Sequence, residues 1–104
     1  MEIKFFDNSV KKLIQSLEKP TIAKVLRTID LLEEFGHSLG LPHTKKLMPD
    51  LFELRIRGLQ EVRILFTFRE RGAVLLHGFI KKSMKIALRD IKVAQARLKR
   101  LDSI

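Results

Sequence analysis

The 104-residue sequence contains no cysteine. Disulfide bonds, thiolate metal sites and thiol catalysis are therefore excluded, and the chain does not need an oxidising compartment. Long hydrophobic runs are also missing, because the apolar stretch at residues 74–80 is interrupted by His77 and Gly78 and is too short to cross a membrane. The first residues lack the layout of a signal peptide, and no Gly-x-Gly-x-x-Gly loop is present. These absences predict a cytoplasmic location, no membrane association and no nucleotide hydrolysis.

The composition is that of one small folded domain. Hydrophobic residues make up 45% of the chain and charged residues 32%, which is enough apolar material for a modest core and too much for wholesale disorder. The length suits one domain and leaves little room for two. We therefore expect residues 1–104 to form a single domain.

The charge is strongly positive and unevenly distributed. The net charge is +9, and residues 72–104 carry eight basic side chains against two acidic ones. Residues 1–44 carry six of each sign. A positive field on one part of a small domain attracts phosphates or an acidic protein, and charge alone does not choose between the two.

Hydrophobic spacing in the first half predicts a strand and two helices. Ile3, Phe5 and Phe6 indicate a short strand, and apolar residues at helical spacing indicate helices over residues 10–17 and 22–35. Pro20 suits the first turn of the second helix, and Gly36 suits its end. Residues 36–42 then form a loop.

The second half alternates with a period of two, which predicts a three-stranded antiparallel meander. The strands cover residues 51–57, 62–69 and 73–81. A three-residue loop at residues 58–60 pairs Arg55 with Arg63 on one face and places the phenylalanines on the other. The expected pairs on the apolar face are Ile56–Val62, Leu54–Ile64 and Phe52–Phe66.

The second hairpin loop is predicted at residues 71–73. The expected partners are then Ile64 with Ile80, Thr67 with His77, and Arg63 with Lys81. The helices would cover the phenylalanine face, and the opposite face would gather Arg55, Arg63, His77 and Lys81. A two-residue loop at Arg71-Gly72 would instead reverse the last strand. Because the stem of Arg63 would point away from the phenylalanine core, truncating Arg63 is expected to preserve stability.

A basic helix follows the meander. Ser83 is a candidate cap, and the apolar stripe is Ala87, Ile91, Ala94, Leu98 and Leu101. The predicted fold class is α+β: an N-terminal strand and a helical hairpin packed on the meander, with a C-terminal basic helix.

The order of these elements, together with several short stretches, resembles the RelE/HigB superfamily of bacterial toxins, and most of all its phage-derived HigB-like branch. The matching stretches span roughly the last two-thirds of the chain. They are KKL at residues 45–47, LFELR at 51–55, VRILF at 62–66, LLHGFIKK at 75–82, and the segment from Asp90 to Leu98.

The resemblance implies the toxin of a type II toxin–antitoxin pair, a ribosome-dependent endoribonuclease that cleaves messenger RNA and inhibits translation. The implied partners are a helix-turn-helix, HigA-like antitoxin, the ribosome and mRNA, with no metal and no cofactor. By position, the resemblance implies Arg63, Lys82, Lys81 and Arg55 as catalytic residues and Lys46 as a binding residue. His77 is a further catalytic candidate, because an imidazole on the same face could exchange a proton near neutrality. The further candidates for RNA or ribosome binding are the basic residues Lys45, Arg57, Lys85, Arg89 and Lys92.

The residue types suit cleavage of RNA by its own 2′-hydroxyl. Guanidinium groups stabilise the charge that builds on phosphoryl oxygens, and a lysine among other cations can exchange a proton near neutrality. The chain departs from the resemblance in two places. It has no tyrosine, which ribosome-dependent members often use near the last helix, and Ile86-Ala87 stands where the branch tends to have Thr-Pro.

Other interpretations stay open at this level. A non-catalytic, ParE-like toxin that poisons DNA gyrase would share the fold but would not need a converging basic cluster. A plain RNA-binding module would use the last helix as an electrostatic anchor. Arg55, Arg57 and the Lys81-Lys82 pair also suit a solvated strand surface, and His77 suits a structural role as well as a catalytic one.

Overall fold

One mixed sheet and three α-helices form the structure of residues 1–103, which a computed structural model describes. The elements in chain order are β1 (Glu2–Phe5), α1 (Ser9–Ser16), α2 (Lys19–Phe35), a 3-10 turn (Gly36–Ser38), β2 (Thr44–Met48), β3 (Leu51–Ile56), β4 (Val62–Arg69), β5 (Gly72–Ile80) and α3 (Leu88–Leu101). The strand order is β1-β5-β4-β3-β2, with β1 parallel to β5 and the other pairs antiparallel. The α+β class is confirmed, and the predicted meander supplies three of five strands.

The helical half begins and ends where the sequence signals predict. Pro20 lies in the first turn of α2, where its missing N–H costs no hydrogen bond. Gly36 follows the last residue of α2 with φ 54°, a left-handed conformation that glycine adopts without a Cβ clash. The predicted end of this helix is confirmed.

The strand β2 was not predicted. It pairs with β3 through Thr44–Leu54, Lys45–Glu53 and Lys46–Phe52, and an irregularity follows before Met48. It lies at the edge of the sheet, where short strands with lysines are common because they oppose further strand addition. Two adjacent lysines in five residues hide the alternation by which a strand is recognised.

The register of the first hairpin is confirmed. Arg55 faces Arg63, and Ile56, Leu54 and Phe52 face Val62, Ile64 and Phe66.

The second hairpin differs from the prediction. Arg69 pairs with Gly72, so the loop is Glu70-Arg71, and Glu70 takes the left-handed conformation with φ 54°. Gly72 serves another purpose, because a Cβ there would lie 2.5 Å from the carbonyl oxygen of Glu2 on β1. A register shift opposite Leu65 and Phe66 then restores the predicted face, with His77 opposite Leu65. His77 and Lys81 therefore keep the predicted face but lie two residues from their expected partners on β4.

The sheet has a packed core on both faces. As predicted, α1 and α2 cover the face that carries Leu54, Ile64 and Phe66. The other face is not left open, since Ala94, Leu98 and Leu101 of α3 pack with Leu51, Leu65 and Leu76. The basic face expected from sequence is therefore exposed only beyond the start of α3. None of the helices within residues 1–103 is long and apolar enough to span a membrane.

The last helix begins later than the candidate cap. Its first residue is Leu88 and Ala87 occupies the N-cap position, so the proposed role of Ser83 is wrong. The Ser83 hydroxyl instead donates to the Lys85 carbonyl at 2.8 Å. Residues 81–87 thus form an irregular connection between β5 and α3, at the end of the sheet where Arg55 and Arg63 lie.

Candidate functional site

Arg63 is buried, which overturns its expected exposure. Only 1% of its surface is accessible, although it lies mid-sheet on β4 as predicted. Its Nη2 lies 3.2 Å from Glu61 Oε1, and its Nη1 donates to the Val62 carbonyl at 3.0 Å. Its Nε lies 3.7 Å from Glu53 Oε2. Truncating Arg63 would leave the buried Glu53 with one arginine partner fewer, so we now expect a loss of stability instead of unchanged stability.

Glu53 resolves the repulsion between the two facing arginines. Directly opposed like charges destabilise a sheet. The buried Glu53 carboxylate is 3.6 Å from Arg55 Nε as well as 3.7 Å from Arg63 Nε. Both Nε atoms are buried and make no hydrogen bond, so the attraction is electrostatic at slightly more than hydrogen-bond distance. One carboxylate therefore fixes two guanidinium groups next to each other.

Four of the five predicted catalytic residues line one open depression of about 570 Å³. We call it the basic depression, and the described residues that line it are Arg55, Arg57, Glu61, Arg63, Lys81, Lys82, Ser83 and Met84. The lining holds five cations and one carboxylate. Such an excess of positive charge in a concave surface favours a phosphate ligand.

The irregular connection after β5 forms one wall of the basic depression. The Lys81 N–H donates to the Glu61 carbonyl at 2.7 Å, which extends the β4–β5 pairing by one step. Lys81 is half-buried and Lys82 is exposed. Met84 is 93% exposed, so an apolar side chain stands in solvent on the rim of a basic surface. Backbone pairing thus fixes Lys81 beside β4, and Lys82 follows it in the chain.

Of the predicted RNA-binding residues, Arg57 lines the basic depression itself, and three others lie next to it. Lys45 and Lys85 line an adjoining hollow together with Arg55 and Lys81. Arg89 lines another hollow with Lys82 and Lys85.

Two predicted binding residues lie elsewhere. Lys46 lies on the phenylalanine side of the sheet, with its Nζ 6.0 Å from the centre of the Phe52 ring. Lys92 is exposed on α3 and lines none of these hollows. The alternation of β2 explains the first case, because Lys45 and Lys46 must point to opposite faces.

His77 does not line the basic depression. Its Nε2 lies 2.8 Å from Asp90 Oδ1 in the first turn of α3, and the ring stacks on Phe79 at 5.6 Å between centroids. The side chains of His77 and Asp90 are largely buried, with exposures of 17% and 14%. The contact ties the start of α3 to β5, and it fixes both ends of the connection that carries Lys81 and Lys82.

Sequence reasoning missed the two glutamates of the site. Burial raises the pKa of Glu61, but hydrogen bonds from Arg63 and the Gly58 N–H, with the charges of Arg63 and Arg57, hold it below its ordinary value. A signal for Glu53 was present, since it lies two residues before Arg55 and therefore on the same face of β3.

A second ion cluster lies at the far end of the same face of β4, and we call it the carboxylate clamp. Arg69 is bound by Asp50 and Asp102, which joins the β2–β3 turn to the end of α3. Hydrogen bonds from Arg69 hold the pKa of Asp50 and of Asp102 below the ordinary value, and donating these bonds to Asp102 and Asp50 raises the pKa of Arg69. Here the carboxylates outnumber the cations.

The site's chemistry is that of an anion receptor. Among residues 1–103 no group of three or more His, Asp or Glu side chains is placed to hold a metal ion. The basic depression offers ammonium and guanidinium donors at fixed positions, which suits phosphate recognition.

Comparison with known proteins identifies the family of the chain. No curated protein matches the chain significantly. Residues 12–99 match the family model described as phage derived protein Gp49-like (DUF891), which covers most of the chain and includes every element that forms the basic depression. The chain therefore belongs to the Gp49-like family of phage-derived proteins, a toxin-like family related to toxins of the RelE/HigB type.

Proposed function

We propose that the protein is the toxin of a type II toxin–antitoxin system and that it cleaves messenger RNA on the ribosome. The observation that supports this most is the convergence of Arg55, Lys81 and Lys82, three unneutralised or partly neutralised cations, on one depression. The toxin-like family is compatible with a toxin–antitoxin role. A gyrase poison would not need this convergence.

The proposed reaction is attack by the RNA 2′-hydroxyl on the adjacent phosphorus. The bond from the 2′-oxygen to phosphorus forms, the bond from phosphorus to the 5′-oxygen breaks, and the products are a 2′,3′-cyclic phosphate and a free 5′-hydroxyl. Arg55 stabilises the negative charge that develops on the phosphoryl oxygens. The proton of the 2′-hydroxyl passes to water, and an ammonium group of Lys81 or Lys82 supplies the proton that the 5′-oxygen takes up as it leaves.

The buried residues of the site act beneath this surface. Arg63 adds positive charge from the floor of the basic depression, and Glu53 and Glu61 hold its guanidinium in place. His77 acts as a positioning residue through Asp90, since the pair fixes the connection on which the two lysines lie.

The ribosome supplies what an open depression lacks. An open surface of fixed cations binds and stabilises phosphate, but it does not bend a flexible strand into in-line geometry. Positioning of this kind is worth about 7–11 kcal/mol of a barrier. The proposal therefore requires ribosome-bound message as the substrate and a cytoplasmic location.

The toxin-like family suggests an antitoxin partner. We propose a helix-turn-helix, HigA-like protein with an acidic segment, because the basic depression would otherwise expose unneutralised cations. Co-expression with the neighbouring gene and purification through a tag on that second protein tests this. Recovery of both chains in one complex is expected. Normal yields of the untagged chain alone, without growth arrest, would contradict it.

Mapping the 5′ ends of cellular messages after a brief induction tests the function. The expected result is new 5′-hydroxyl ends inside translated regions, in phase with codons, for the parent chain and for Arg71→Ala, but not for Arg55→Ala. Arg71 is an exposed arginine in the β4–β5 loop, away from the basic depression. Ends in untranslated RNA as well would favour a free ribonuclease. Growth arrest with intact messages and altered DNA supercoiling would overturn the proposal in favour of a gyrase poison.

A further inference from the structure

A second basic groove lies between α2 and the end of β3, and no role described above uses its α2 side. It has a volume of about 470 Å³, and we call it the α2 groove. Its rim carries Lys24, Arg27, Arg55 and Arg57, and its other described lining residues are Thr28, Leu31, Pro42, His43 and Ile56.

The α2 groove exists because β2 stops covering β3. The β2–β3 pairing begins at Thr44 and Leu54. Beyond it, β3 makes one more backbone bond to the preceding loop, from the Arg55 N–H to the His43 carbonyl at 2.7 Å. The sheet edge is then open towards α2. Lys24 Nζ donates to the Arg57 carbonyl at 3.3 Å, which holds α2 against this end of the strand.

The charge of the α2 groove favours an anion. No Asp or Glu occurs among the described residues that line it. Arg27 is exposed, and Arg57 is 64% exposed with its nearest carboxylate, Glu61, at 3.7 Å. Exposed pairs at this distance neutralise little charge in water. Lys24 and Arg27 have no salt bridge to a carboxylate among the described residues, whereas Arg55 is paired with Glu53 and Arg57 with Glu61. Cations that are not neutralised in a concave surface attract phosphate.

The floor of the α2 groove adds a second requirement. Leu31, Pro42 and Ile56 give the groove an apolar lining, which we call its floor, and His43 lines the groove as well. A free phosphate has no use for an apolar floor, whereas a nucleotide presents a flat base beside its phosphate. Single-stranded RNA is commonly held through bases that stack on histidine or arginine planes. The volume lies within the usual range for sites that hold one small ligand.

The α2 groove is continuous with the basic depression, because Arg55 and Arg57 line both. A strand whose scissile phosphate lies in the basic depression would continue past these arginines towards α2. We propose that the α2 groove binds a nucleotide next to the cleavage point of single-stranded RNA. Lys24 and Arg27 hold its phosphate, and the floor holds its base. That this RNA is messenger RNA rests on the proposed function.

The test compares Arg27→Glu with Arg71→Glu, an identical charge change at an exposed arginine at the other end of the sheet. Binding of a short single-stranded oligoribonucleotide is measured by fluorescence anisotropy over a range of salt concentrations. We expect Arg27→Glu to weaken binding about tenfold and to lower the slope of log affinity against log salt by about 0.7, one phosphate contact. Arg71→Glu is expected to change affinity by less than about twofold. Thermal melts of both variants serve as the control that each is folded.

A second variant distinguishes recognition of a nucleotide base from general attraction of a polyanion. Leu31→Ala is expected to weaken binding of the normal oligonucleotide but not of an abasic ribose-phosphate oligomer of the same length. Equal losses on both oligomers, no RNA binding by the parent chain, or parent-like RNA binding by Arg27→Glu would each overturn the inference. Loss of antitoxin binding by Arg27→Glu with RNA binding unchanged would assign the α2 groove to an acidic protein segment instead.

Cleavage in a translation reaction distinguishes this inference from the function on which it rests. Message cleaved by the parent chain, together with parent-like RNA binding by Arg27→Glu, overturns the α2 groove alone. RNA binding that depends on Arg27, together with intact message, overturns the proposed nuclease and leaves the α2 groove as a nucleotide site.

Discussion

The two ends of one face of β4 hold arginines in opposite electrostatic settings. Arg63 and Arg69 point to the same side of the strand and lie six residues apart, about 20 Å. At the carboxylate clamp, Arg69 is outnumbered by Asp50 and Asp102. At the basic depression, Arg63 is paired with Glu53 and Glu61, but its neighbours Arg55, Arg57, Lys81 and Lys82 leave an excess of positive charge.

The difference separates an ion cluster without spare cations from one with an excess of cations, which is the arrangement that the proposed RNA binding requires. The carboxylate clamp joins distant parts of the chain and has no cation left for a ligand. In the basic depression the glutamates neutralise the buried arginine, while the more exposed cations around it stay available. The surrounding balance of charge, rather than the presence of arginine, marks the site.

The largest expected effect of breaking this contrast is on stability. Arg63→Ala removes one of the two arginine partners of the buried Glu53 carboxylate and should lower the free energy of unfolding by about 3–5 kcal/mol. Urea unfolding followed by circular dichroism measures it. The double variant Arg63→Met with Glu53→Leu should recover part of the loss, because the buried carboxylate is removed together with Arg63, while Arg55 loses the carboxylate that it contacts in the parent chain. Parent-like stability of Arg63→Ala would mean that Glu53 is not buried as described.

The next effect is on catalysis. Arg55→Ala removes one donor to the developing phosphoryl charge and should lower the rate of message cleavage by about 10²–10³. The rate is measured in a translation reaction with purified protein, at a temperature where the variant is folded. Arg69→Ala serves as the control because it makes the same change at the carboxylate clamp, and its rate should match the parent's. Equal losses in both variants would show that folding, and not the basic depression, limits the rate.

A smaller effect is expected on stability at the carboxylate clamp. Asp50 and Asp102 are about half exposed, with side-chain exposures of 48% and 49%, so solvent screens their attraction to Arg69. Arg69→Ala should therefore lower the free energy of unfolding by about 1 kcal/mol, well below the effect of Arg63→Ala. The comparison uses the same urea experiment. A loss as large as that of Arg63→Ala would show that the two clusters do not differ as described.

The smallest expected effect is on how stability depends on pH in the acidic range. The pKa values of Asp50 and Asp102 lie below their ordinary 3.8 in the folded chain because Arg69 donates hydrogen bonds to both. Their stabilisation is therefore complete above pH 3.8 and is lost as the pH falls further, through the folded-state values. Asp50→Asn should make the free energy of unfolding, measured by urea unfolding at a series of pH values, vary less with pH in that acidic window. An unchanged profile would contradict the contribution of Asp50.

The parts of the fold that follow periodic patterns could be predicted from sequence, and the parts set by single contacts could not. The β3–β4 register followed from alternation and one loop length. The β4–β5 hairpin was predicted, but its loop was placed at residues 71–73 instead of Glu70-Arg71, because Gly72 is required for the approach of β1 and the turn is made by Glu70 in a left-handed conformation. No local pattern indicates a contact with a strand seventy residues away.

The candidate site shows the same division. Alternation placed Arg55, Arg63, His77 and Lys81 on one face, where the structure also has them. Contacts that alternation does not give decided which of these side chains solvent reaches. Arg63 is buried with ion pairs to Glu53 and Glu61, and His77 contacts Asp90 of α3.

One measurement tests the central claim most directly: the cleavage of a defined message by purified protein in a reconstituted translation reaction, with and without ribosomes. The account predicts 5′-hydroxyl ends in phase with codons when ribosomes translate the message, none on the free message, and about 10²–10³ slower cleavage with Arg55→Ala. Intact message under translation by the parent chain, or equal cleavage by the parent chain and Arg55→Ala, would contradict it.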